Sequence, residues 1–147
     1  KAMVRPSTFQ GATEAIAEWV SENDLTRNGF VLFDASGLSP LNRIPPRMIA
    51  ELLLQVWEEG AEGELFRQAL ARPGERGSLR GRLKGLRAAL EAKTGTLGDT
   101  NGVAGYLTLE DGEVYIVVVM NDRVANAGGQ ACVDRMVELL DELLPAI

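Results

Sequence analysis

Between Leu90 and Met120 the chain carries three runs of strand length in close succession, Leu90 to Leu97, Val103 to Leu109 and Glu113 to Met120. The last two are joined through Glu110-Asp111-Gly112, and Asp-Gly supplies the positive φ angles that a tight hairpin turn needs. The segment therefore predicts an antiparallel meander.

Helical periodicity surrounds it. Ala12, Ala15, Ile16, Trp19 and Val20 recur at helical spacing with Glu14, Glu18 and Glu22 between them, so this stretch predicts an amphipathic helix ended by Asn23 and Asp24. Pro45 and Pro46 introduce a second helix with an apolar face of Ile49, Leu52, Leu53, Val56 and Trp57, and Gly60 stops it. A shorter third helix is expected over Glu62 to Ala71, and a C-terminal helix marked by Cys132, Met136, Leu139, Leu140 and Leu143 should cover one face of the sheet. The run Phe30-Val31-Leu32-Phe33 predicts a buried strand leading into a small polar segment, Asp34 to Ser39. Pro73-Gly74 and Gly77 break the chain into a loop with Arg76, Arg80, Arg82, Lys84 and Arg87, charges that a solvated loop explains as well as a functional one.

Helices, then a meander, then a terminal helix indicate an α+β architecture with helices packed on a sheet. At 147 residues, 46% of them apolar, one globular domain over 1–147 accounts for the whole length.

Composition removes several function classes. The net charge is -6 and forms no basic stripe, which argues against nucleic acid as a partner. Histidine is absent, and with it every Ser-His or Cys-His pair and the commonest metal ligand. Proton transfer must then use Lys, Glu, Asp, Tyr or water. The single cysteine, Cys132, has no intrachain partner and at an apolar-periodic position is expected to be a buried small hydrophobe. With no histidine and no clustered cysteines, no metal or organic cofactor is implied. The longest apolar run, Val114 to Met120, falls well short of the roughly 20 residues that cross a bilayer. A first residue of Lys1 without a signal-peptide pattern fits a mid-protein fragment or a processed product.

Two clusters carry chemistry. Lys93-Thr94-Gly95-Thr96 falls on a predicted strand, where the lysine offers positive charge and the two threonine hydroxyls share one side because side chains repeat every second residue. Gly95 lets another group approach the backbone closely. That set suits a terminal carboxylate bound along a strand edge. Asp34-Ala35-Ser36-Gly37-Leu38-Ser39-Pro40-Leu41-Asn42 adds two serines and an amide, and serine, asparagine and lysine are what a histidine-free acyl transferase would use.

Together with Gly77-Ser78-Leu79 and Gly102-Val103-Ala104-Gly105-Tyr106, these segments resemble in motif order the C-terminal part of the low-molecular-mass class C penicillin-binding proteins, the D-alanyl-D-alanine carboxypeptidase and endopeptidase family of serine peptidases. The resemblance implies a transpeptidase/β-lactamase-like fold, incomplete in this chain, with a mainly antiparallel sheet flanked by helices. It implies that Ser39 and Asn42 stand for the family's Ser-x-Asn element, with Leu41 as the alternative occupant of the amide position, and that Lys93, Thr94, Gly95 and Thr96 bind the carboxylate of a peptidoglycan stem peptide or a β-lactam. The Thr96 N-H would form half of an oxyanion hole. The family's Ser-x-x-Lys motif is absent: three positions after Ser7, Ser21, Ser36, Ser39 and Ser78 stand Gln10, Asp24, Ser39, Asn42 and Gly81. The nucleophile is accordingly expected on an N-terminal part of the same protein, which would be a partner to this chain, with an oligomer as a second way to cover its apolar surface. The resemblance places the protein outside the cytoplasm, in the periplasm or on the cell-wall side. A non-catalytic wall-binding or scaffold domain and a related serine β-lactamase are the alternatives.

Overall fold

The structure, a computed structural model, describes residues 8–124 and 126–144. Helix α1 (Phe9–Glu22) begins where the Thr8 hydroxyl accepts the N-H of Gly11 at 3.0 Å, a side-chain N-cap. It ends where Asn23 donates both its backbone N-H and its side-chain amide to the Trp19 carbonyl. Helix α2 (Pro46–Glu58) has proline at its first position, where a missing N-H costs nothing. Helix α3 (Ala61–Ala69) follows at once, and a 3₁₀ turn occupies Gly77–Leu79.

The meander is present as expected: β1 (Ala89–Leu97), β2 (Thr100–Thr108) and β3 (Val114–Asn121) form an antiparallel sheet in the order β1-β2-β3. Leu90 faces Leu107 and Val103 faces Val119 across the ladders. The Asp-Gly turn closes with Leu109 N-H to the Glu113 carbonyl at 2.8 Å, and Gly112 takes φ +90°. In β2, Gly105 leaves no room for a side chain, because a Cβ there would sit 2.0 Å from the Glu91 carbonyl oxygen.

Helix α4 (Asn126–Leu143) covers one sheet face, burying Val133 and Val137 against Leu90, Ala92, Val103, Leu107, Val117 and Val119. The opposite face meets α2 and Leu70 through Leu53, Tyr106 and the half-buried Ile49, Ile116 and Val118. Trp57 packs on Tyr106 with ring centroids 5.4 Å apart, and the Arg67 guanidinium lies 4.2 Å over the Trp57 ring. A third cluster of Val20, Leu25 and Met48 ties α1 to α2.

Two sequence expectations are corrected, and two are made definite. Phe30 to Phe33 is not a buried strand: Val31 makes one isolated bridge to Arg43, and Val31 and Phe33 are 52% and 63% exposed. Among the described residues its strand-forming residues pair only with the return of their own loop, and no sheet lies alongside to bury them. The C-terminal helix turns a different face inward. Val133, Val137 and Leu140 meet the sheet, while Cys132, Met136, Leu139 and Leu143 are exposed. Two adjacent apolar stripes run along α4, and only the one rich in β-branched residues reaches the core. The third helix stops at Ala69 because Leu70 and Ala71 turn extended to reach β1. The arginine loop is not simply solvated: Arg76 Nε donates to the Leu70 carbonyl, Arg82 forks onto Asp134 at 2.6 and 3.1 Å, and Arg87 pairs with buried Asp141.

Candidate functional site

Strand β1 pairs with β2 on one side only. On its outer edge Ala92 exchanges both backbone hydrogen bonds with Ala71, each 3.0 Å. Main-chain groups of alternate residues in a strand face the same way, so those of Thr94 and Thr96 also point to this outer edge. Beyond Ala92 no other strand pairs with it among the described residues. The edge from Thr94 to Thr96 thus presents unladdered backbone donors and acceptors.

Side chains decorate that edge from both faces. Thr94 and Thr96 lie on the α4 face, opposite Val103 and Asn101, and Lys93 lies on the α2 face, opposite Ala104. The exposed Lys93 curls its Nζ back onto the Thr94 carbonyl, which brings the cation to the outer edge. Thr94 is buried, and its Oγ1 lies 2.6 Å from the Ser78 hydroxyl. Thr96 is exposed, and around Gly95 nothing stands within 4 Å of where a Cβ would be. A cation, hydroxyls and an outward N-H along one open edge can bind a carboxylate and, beside it, a developing oxyanion.

The second predicted cluster is a loop organised around Asp34. Its Oδ1 accepts N-H groups from Ser36 and Gly37 and the Asn42 amide at 3.0 Å, and its Oδ2 accepts the Ser36 hydroxyl. The Asn42 amide, with help from Ser36 and the backbone of Gly37 and Ser39, holds the Asp34 carboxyl below its usual range. Asn42 Oδ1 in turn accepts the N-H groups of Phe33 and Asp34 at 2.7 and 3.1 Å. Asn42 is therefore a brace across the loop. Ser39, half-buried, accepts the Leu41 N-H at 3.2 Å and keeps its own O-H proton to donate. Leu41 itself is 52% exposed. Among the described residues no hydrogen bond or ion pair joins Ser39 or Asn42 to β1.

Sequence reasoning named Ser78 only within a motif and gave it no role. Gly77, at φ +66° beside Ala71, is the one signal that the turn is built to a tolerance. Among the described residues no group of three or more His, Cys, Asp or Glu could hold a metal ion, and no helix is long and apolar enough to cross a membrane.

An antiparallel sheet with one open edge, helices on both faces and a polar loop before α2 define part of a transpeptidase/β-lactamase-type α+β fold. Solved structures share it. Penicillin-binding protein 4 (dacB) of Haemophilus influenzae matches with a TM-score of 0.75 and 25% identity, over 95% of this chain and 33% of that one. A mutant of PBP-A described as an acyl-enzyme complex with penicillin G matches with a TM-score of 0.75 at 19% identity, over 92% of this chain and 52% of that one. The D-Ala-D-Ala carboxypeptidase 3 (S13) family matches residues 1–143, and the chain belongs to that family. Carboxypeptidase DacB of Mycolicibacterium smegmatis is 31% identical over 95% of the chain, which spans 32% of that relative's length.

Proposed function

We propose that the full-length protein is a serine D-Ala-D-Ala carboxypeptidase or endopeptidase acting on peptidoglycan stem peptides on the extracytoplasmic side, and that this chain is the C-terminal part of its catalytic domain. The observation that carries this reading is the open β1 edge, where Lys93, Thr94 and the outward Thr96 N-H converge in a chain of the S13 family.

In this reading the substrate's terminal carboxylate lies against Lys93 and the hydroxyls of Thr94 and Thr96. A serine outside these residues attacks the carbonyl of the penultimate D-Ala, and the Thr96 N-H stabilises the oxyanion, a donor worth roughly 2.7 to 4 kcal/mol in the transition state. The C-N bond breaks, D-Ala or the cross-bridge amine leaves with a proton, and water then hydrolyses the acyl-serine. Ser39 is the proton shuttle, its O-H being available. Asn42, or Leu41 through its main chain, holds the substrate amide, and the bracing geometry of Asn42 favours a share of that role for Leu41. β-Lactams enter the same site and acylate the same serine.

The N-terminal part of the protein supplies the nucleophile and covers the apolar surface left open here, including Phe9, Phe33, Leu38 and Leu65, each more than 60% exposed. The absence of Ser-x-x-Lys from these 147 residues favours one second reading, a wall-binding domain without catalysis. Intact-mass spectrometry of the full-length protein with a fluorescent penicillin separates the two: one covalent adduct supports the peptidase, and none supports the binding domain.

A further inference from the structure

We propose that Ser78 is a positioning residue for carboxylate recognition: its hydroxyl orients the Thr94 hydroxyl, so that the pair offers one aligned O-H donor to the terminal carboxylate of the ligand. This rests on the reading of the β1 edge given above.

The two oxygens lie 2.6 Å apart, a close O-H···O hydrogen bond. Thr94 is 9% exposed and sits on the apolar α4 face opposite Val103, where a hydroxyl requires a partner. Among the described residues Ser78 is the partner it has. Two hydroxyls carry two protons. One occupies the gap between them and the other remains to donate outward. A carboxylate only accepts, so it selects the arrangement with the donor facing it; an esterified terminus, without the charge, gains much less.

Ser78 is held in place before any ligand arrives. Gly77 takes φ +66°, and a Cβ on it would come within 2.8 Å of the Ala71 Cβ. Ala71 is itself bonded to Ala92 on β1. Behind Ser78, Leu79 is fully buried; ahead of it, Arg76 donates to the Leu70 carbonyl and pairs through its backbone with Arg72. The 3₁₀ turn is thereby clamped to the strand edge that carries Thr94, and preorganised donors of this kind need no rearrangement when the ligand binds.

The test uses the full-length protein as wild type, Ser78→Ala and Ser78→Thr, with acylation rates measured for penicillin G and for penicillin G methyl ester. The expected result is an about tenfold loss toward penicillin G in Ser78→Ala, in line with a weakened hydrogen bond to a charged group, an ester rate within about twofold of wild type, and recovery in Ser78→Thr. An unchanged acid-to-ester ratio in Ser78→Ala, or equal losses toward both with no recovery in Ser78→Thr, would overturn the assignment while leaving the peptidase reading intact. A wild-type protein that neither takes up penicillin nor releases D-Ala overturns both, and that control tells the two failures apart.

Discussion

Ala71 and Ala92 exchange two backbone hydrogen bonds and end the pairing of the outer β1 edge two residues before Thr94. Everything proposed for the site depends on that stop. If the residues before Leu70 had continued this antiparallel pairing along β1 instead of forming α3, the Thr96 N-H would be inside a ladder and closed to a ligand.

The consequence can be tested on the backbone itself. Thr96→Pro removes an N-H that faces away from β2, where an edge strand tolerates proline. In the full-length protein it should slow penicillin acylation by about a hundredfold or more, the scale of one lost oxyanion donor, while cooperative unfolding is retained. Thr96→Ala keeps the N-H and should lose far less. Equal rates for Thr96→Pro and wild type would remove Thr96 from the oxyanion hole.

Tyr106 is fully buried and donates its O-H to the Leu53 carbonyl at 2.7 Å, linking β2 to α2. Burial raises its pKa, so the hydroxyl stays protonated and able to donate. Tyr106→Phe should cost about 0.5–1.5 kcal/mol of stability by removing that hydrogen bond between β2 and α2, read from denaturant midpoints at unchanged slope.

Much of this architecture is legible in the sequence, and for physical reasons. The three strands follow from run length and the Asp-Gly turn, and α2 follows from its proline start and Gly60 stop. Features decided by the neighbourhood are not legible. Phe30 to Phe33 has the composition of a strand but no sheet beside it, and α4 has two apolar stripes of which only Val133, Val137 and Leu140 meet the core. The β1 edge could be placed from Lys93-Thr94-Gly95-Thr96 alone. Its hydroxyl partner Ser78 lies 16 positions earlier, and nothing local in the chain announces that contact.

Glu51 offers a pH signature. It accepts the N-H and hydroxyl of Thr26 at 2.7 and 2.6 Å and pairs with Arg47, which together lower its pKa from 4.5 to about 2. A depressed carboxyl stabilises the fold above its unfolded value and loses that contribution as pH falls through the folded one. The Tm advantage of wild type over Glu51→Gln should therefore be full at pH 7 and shrink between about pH 4.5 and 2. A difference that stays constant across that range would remove Glu51 from the acid response.

The exposed apolar surface gives a further expectation. Trp19, Phe33, Leu38 and Leu41, and Met136, Leu139 and Leu143 on α4, are all more than a third exposed, and large apolar side chains left uncovered in this way favour association where they adjoin. The 147-residue chain alone should associate or unfold without a sharp transition. A monomer by sedimentation with cooperative unfolding would contradict this.

The most direct test of the account is intact-mass spectrometry of the full-length protein before and after a fluorescent penicillin, with Lys93→Ala alongside. One covalent penicillin per wild-type molecule, formed at least about a hundredfold more slowly in Lys93→Ala, is the expected result. No adduct on the wild type, or an adduct formed equally fast without Lys93, would contradict a peptidase that reads its substrate's carboxylate at the β1 edge.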